Sequence, residues 1–101
     1  MAPKKPMKEF PRKWHEDFAI TSTKEAVRLS RHDYGCGKQA LDNIIEANRN
    51  VAAARTHLIS MGPHSSKRTM RLWRMIGKAE KQVEESGLRF LRCTVNRRRG
   101  R

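Results

Sequence analysis

The sequence predicts an all-α protein with a short N-terminal helix, an antiparallel hairpin of two long helices, and a basic flexible arm at each end. Three observations lead to this prediction. Apolar residues recur at alternating intervals of three and four along two long segments, Gly62 and Pro63 separate these segments, and the excess positive charge lies near the chain ends. A chain of 101 residues buries only a small core, so a dimeric four-helix arrangement is compatible with this architecture.

Residues 1–13 are predicted to form a flexible basic arm, because they contain three prolines and few apolar side chains. The helical domain is expected to span residues 14–95. Ser22 and Glu25 have the spacing of a capping box, in which two side chains satisfy backbone N–H groups of the first helical turn. We therefore expect the first helix over about residues 23–32.

The two long helices are predicted over about residues 38–61 and 66–94, each from a seven-residue apolar repeat. A short connection makes such neighbouring helices antiparallel, and Ser65 or Ser66 can cap the second one. The first apolar stripe consists of Ala40, Ile44, Ala47, Val51, Ala54, Leu58 and Met61. The second stripe consists of Thr69, Leu72, Ile76, Ala79, Val83, Ser86, Phe90 and Cys93.

The end of the second stripe is ambiguous, because residues 88–95 also permit an extended strand. The seven-residue repeat continues past Gly87, which favours a helix there. Residues 96–101 carry no apolar side chain and are predicted to form an Arg-rich tail.

The net charge of +13 is unevenly distributed along the chain. Residues 1–13 hold five Lys or Arg and one acid, residues 14–66 hold six of each, and residues 67–101 hold twelve Lys or Arg and three acids. Self-repulsion on this scale indicates a polyanionic partner, and nucleic acid is the commonest one.

Five cations of the second long helix share one face, opposite the apolar stripe. They span about 21 Å along a helix, more than the roughly 12 Å width of a DNA major groove. A solvated helix surface is the alternative interpretation. These five residues are Lys67, Arg71, Arg74, Lys78 and Lys81. The full set predicted to contact nucleic acid adds Arg68, Arg89, Arg92, Arg97, Arg98, Arg99, Arg101, Lys4, Lys5, Lys8, Arg12 and Lys13.

Other classes of site find little support in the sequence. His32 and Cys36 lie four residues apart, but the glycines around Cys36 interrupt the helix that would align them, so we expect neither a metal site nor a cofactor. No catalytic motif is present, and we expect no enzymatic activity. Cys36 and Cys93 are expected to be reduced thiols in the cytoplasm or nucleus, since no signal peptide or membrane span precedes them.

The predicted function is sequence-independent binding of structured nucleic acid through its phosphates. RNA is favoured, because Arg-rich segments often fold onto RNA, and the protein would be a ribonucleoprotein component, such as a ribosomal protein, or a double-stranded-RNA binder. In outline the hairpin is similar to the dimeric helical suppressors of RNA silencing of some small RNA viruses. A chromatin or nucleoid DNA-packaging protein is an alternative. A basic amphipathic module that binds a membrane surface or a protein is another.

Overall fold

A computed structural model describes residues 11–31, 35–61 and 66–99 of the protein. All regular secondary structure in these ranges is helical, which confirms the predicted all-α class. The elements are α1 (Arg12–Arg31), α2 (Lys38–Ser60) and α3 (Lys67–Arg99). Each helix contacts the two others. The dimeric four-helix arrangement that the sequence permits stays a prediction.

The core is shallow and is built largely from small side chains. Every position of the two predicted apolar stripes is buried or half-buried, so the heptad assignment of α2 and α3 is confirmed. Six of the eleven buried apolar residues in the described ranges are alanines. Leu58 and Ile76 are the largest apolar side chains among those that are almost completely buried. Alanine at helix contacts lets the helix axes approach closely.

Helix α1 is longer than predicted. It begins at Arg12, directly after Pro11, and runs without interruption through Ser22, so the predicted capping box and the helix start near residue 23 are wrong. Its buried side continues upstream of Ser22 at helical spacing, but it consists of polar and small residues that produce no hydrophobic signal. These residues are His15, Glu16, Ala19, Thr23, Ala26 and Ser30.

The predicted boundaries of the basic arms also change. Arg12 and Lys13 belong to the first turn of α1, and residues 96–99 belong to α3, so helix replaces part of each arm. Arginine has a high helix propensity, and cations are favourable near a helix C-terminus, which explains why α3 continues through Arg97, Arg98 and Arg99. Lys4, Lys5, Lys8 and Arg101 lie outside the described residues.

The N-terminus of α3 follows the prediction more closely. The backbone N–H of Thr69 donates a hydrogen bond of 3.2 Å to the hydroxyl oxygen of Ser66. This bond satisfies one N–H that the first turn leaves without a backbone partner, so Ser66 is the N-cap. Residues 88–95, where a strand was the alternative, are helical.

The two cysteines form a disulfide, so the expectation of two reduced thiols is wrong. Cys36 precedes α2 and Cys93 lies near the end of α3, with their Cα atoms 5.6 Å apart. Their separation of 57 positions along the chain conceals this proximity in the sequence. Disulfides persist mainly in oxidising compartments, so this bond gives no support to the predicted reducing compartment.

Polar contacts also join the helices. Arg12 in α1 donates a hydrogen bond of 3.2 Å to the Thr69 hydroxyl of α3, and Arg55 in α2 forms an ion pair with Glu80 of α3. Across the described part of the chain, none of the helices has the length and apolar character needed to cross a bilayer.

Candidate nucleic-acid interface

A groove with cationic walls lies between α1 and α3. Its volume is about 870 Å³, and its apolar lining includes Val27, Met75 and Ala79. Six cations line it, three from each helix: Lys24, Arg28 and Arg31 from α1, and Arg71, Arg74 and Lys78 from α3. We call this feature the α1–α3 groove. No carboxylate is among its described lining residues, so its electrostatic potential favours an anionic ligand.

The structure divides the five-cation row that was predicted on α3. All five side chains are exposed, as the helical repeat requires. Arg71, Arg74 and Lys78 line the α1–α3 groove, whereas Lys67 and Lys81 do not. The central three cations therefore face a shared space with α1, and the outer two extend the charge along α3.

The α1 wall of the groove was missed by the sequence analysis. Lys24, Arg28 and Arg31 are spaced by four and three residues, the same helical spacing as the row on α3. This signal is present in the sequence, within the segment predicted to form the first helix. The charge of these three cations is also hidden in the segment totals, since residues 14–66 hold equal numbers of acids and bases.

One acid modifies the α1 wall. The guanidinium Nε of Arg28 donates a hydrogen bond of 2.9 Å to Glu25, one turn earlier, and the two side chains form an ion pair. This hydrogen bond lowers the pKa of the exposed Glu25 carboxyl below its ordinary value. Lys24 and Arg31 are exposed on either side of the pair.

Three arginines that were predicted to contact nucleic acid link neighbouring helices: Arg12, Arg68 and Arg89. Glu16 is buried on α1, and its carboxylate lies 2.7 Å from the guanidinium of Arg68 and 3.6 Å from that of Arg12. Arg89 donates a hydrogen bond of 3.3 Å to the backbone carbonyl of Ser30, which links α3 to the end of α1. These guanidinium groups satisfy polar atoms of neighbouring helices, in addition to any contact with a ligand.

Comparison with models of protein families, with curated proteins and with solved structures finds no match to this chain.

Within the described residues, no group of three or more His, Cys, Asp or Glu side chains has the geometry to hold a metal ion. His32, considered as a ligand from the sequence, lies outside those residues. The lining of the α1–α3 groove combines six cations with apolar side chains, and these groups are suited to binding anions.

A second polar cluster, unforeseen in the sequence, buries two histidines between α1 and α2. The Nδ1 atoms of His15 and His57 lie 3.1 Å apart, so one ring nitrogen donates a hydrogen bond and the other accepts it. Trp14 and Phe18 pack against His57, with ring centroids 5.3 and 4.9 Å from its ring. Burial, and secondly the nearby His15, lower the pKa of His57 below its ordinary value.

This lowered pKa predicts a pH-dependent stability. As pH falls below about 6.5, the unfolded chain protonates His57 while the folded protein resists, so the free energy of unfolding should decrease from its value at neutral pH. Urea unfolding followed by circular dichroism between about pH 7.5 and pH 5.5, a range that lies above most carboxyl pKa values, measures the effect. His57→Gln should flatten the curve, and an equally steep curve in that variant would contradict the assignment.

Proposed function

We propose that the protein binds structured nucleic acid, preferably RNA, through the phosphate groups. The observation that carries the proposal is the α1–α3 groove, in which two helices direct six cations towards one space without a carboxylate among its described lining residues. Guanidinium and ammonium groups in such rows bind phosphate oxygens and release counterions.

The geometry supports recognition of the backbone rather than of base edges. Helices α1 and α3 are packed together, so cations of both walls can contact the phosphates of one strand that lies along the groove. The six cations of the groove suit phosphate oxygens, and its other polar lining residues, Thr23 and Gln82, are too few to read a run of base edges. We therefore propose binding without sequence preference.

The proposal also includes the kind of nucleic-acid complex to which the protein belongs. A ribonucleoprotein component or a double-stranded-RNA binder is favoured over a DNA-packaging protein, because Arg-rich segments commonly order on RNA.

The antiparallel pairing of α2 with α3 is supported by Cys36–Cys93 at one end of the pair and by the Arg55–Glu80 ion pair. Charge on Lys67, Lys81 and the N-terminal arm would extend the contact beyond the groove.

Charge reversal of the α3 wall tests the proposal. We expect Arg71→Glu/Arg74→Glu to weaken binding to a duplex RNA of about 20 base pairs roughly 100-fold at low salt, because attraction becomes repulsion in the groove. The slope of log binding constant against log salt should become shallower by about 1.8, the value for two lost phosphate contacts. Fluorescence anisotropy over a salt series measures both quantities.

A matched control separates the groove from net charge. Lys38→Glu/Arg49→Glu makes the same change in charge on the exposed surface of α2, outside the groove, and should weaken binding much less. Equal losses in the two double variants would contradict a specific role for the α1–α3 groove. Tighter binding of duplex DNA than of duplex RNA in competition would favour the DNA-packaging alternative.

A further inference from the structure

The last three turns of α3 expose apolar side chains that the helical bundle does not use. Leu88, Leu91 and Val95 are 48%, 59% and 46% exposed, and they follow one another at intervals of three and four residues. They therefore form a stripe along one side of the helix. An aliphatic stripe in water is unfavourable unless something covers it.

This stripe adjoins a cluster of arginines. Leu88, Leu91 and Val95 line an open apolar cleft, whose rim is formed by Arg92, Asn96 and Arg99. Arg92 and Asn96 also line an adjoining cationic cleft, together with Arg89, Cys93 and Arg97. The two clefts share a border, so apolar and cationic surfaces lie side by side along about 18 Å of helix.

The orientation of this segment is fixed by the bundle. Phe90 and Cys93 are half-buried, and the disulfide to Cys36 ties α3 to the start of α2. The bond from Arg89 to the Ser30 carbonyl adds a contact with the end of α1. Because the inner side of α3 is held in this way, the apolar stripe faces solvent.

We infer that the exposed side of residues 88–99 binds the surface of an anionic phospholipid bilayer. A bilayer surface matches both clefts, since its phosphates and carboxylates would pair with the arginines while the aliphatic side chains enter the boundary of the acyl region. Long arginine side chains can reach the headgroups from a helix that lies in this boundary. The segment lies on the membrane and does not cross it.

Charge distinguishes this occupant from others. Residues 88–99 contain five arginines and no acid, so two copies that met through this stripe would place like charges together. A nucleic acid would pair with the arginines but would leave the aliphatic stripe in water. The α1–α3 groove is lined by other residues, so the two sites can be tested separately, although the RNA preference of the proposed function also draws on the Arg-rich end of α3.

Vesicle flotation with the full chain tests the inference. Wild type should bind vesicles of phosphatidylserine and phosphatidylcholine in equal parts at least 100-fold more tightly than vesicles of phosphatidylcholine alone. Leu88→Ser/Leu91→Ser, which keeps every charge, should lower the partition constant for the anionic vesicles about 10- to 30-fold. The matched control Leu41→Ser/Ile45→Ser removes similarly exposed side chains from α2 and should bind like wild type.

Circular dichroism verifies that both double variants are folded. Equal binding by wild type and Leu88→Ser/Leu91→Ser would show that charge alone drives adsorption and would overturn the inference. An equal loss in the α2 control would also overturn it. So would a loss of duplex RNA affinity in Leu88→Ser/Leu91→Ser with vesicle binding unchanged, because the stripe would then belong to a nucleic-acid interface.

Discussion

Reduction of the Cys36–Cys93 disulfide is expected to lower the free energy of unfolding by about 4 kcal/mol. The disulfide closes a loop of 57 residues, and a loop of that length greatly restricts the unfolded chain. For a protein with a small core, such a loss is a large share of the total stability. Urea unfolding with and without a thiol reductant, monitored by circular dichroism, measures the difference.

The corresponding variant provides the control for this experiment. Cys36→Ser/Cys93→Ser should have the stability of the reduced wild type, and the reductant should have no effect on it. If the oxidised protein and the double variant unfolded at the same urea concentration with the same slope, the disulfide would contribute no net stability.

Truncation of the core at Ile76 is expected to lower the free energy of unfolding by about 3 kcal/mol. Ile76 is 1% exposed, and Ile76→Ala removes buried methyl groups and leaves a cavity that neighbouring helices fill only in part. The higher helix propensity of alanine offsets less than about 0.7 kcal/mol of this loss. Thermal unfolding should show a decrease in Tm of roughly 10 °C or more.

An exposed position on the same helix gives the comparison. Leu91→Ala should change the free energy of unfolding by no more than about 0.5 kcal/mol, because Leu91 is largely exposed. Similar losses at Ile76 and Leu91 would mean that α3 does not pack on the bundle through its predicted stripe.

The sequence predicted the parts of the fold that carry a strong apolar period. Helices α2 and α3 were located because Val51, Leu58, Leu72, Ile76 and Val83 mark their buried sides. The extent of α1 was wrong because burial there is achieved by small and polar residues, whose periodicity does not differ from that of a polar surface. A pattern search that relies on large aliphatic side chains cannot detect such a helix.

In the candidate site, too, local spacing predicted one part and tertiary packing determined the other. The α3 wall of the groove followed from the spacing of Arg71, Arg74 and Lys78 on a correctly predicted helix. Its partner wall depended on how α1 packs beside α3, which is a tertiary contact that local spacing does not encode. The disulfide and the His15–His57 pair join residues that are 57 and 42 positions apart, and neither pairing leaves a signal in one sequence.

The alanine-rich interior makes this protein's tolerance of sequence change asymmetric. Positions such as Ala26, Ala47 and Ala54 have little volume to lose, so replacement by glycine costs only the loss of helix propensity, about 1 kcal/mol each. Every larger residue there has to push two helix backbones apart. Evolutionary drift in the core would therefore be bounded by an upper limit on side-chain size, and glycine or serine would substitute for alanine far more readily than valine or leucine would.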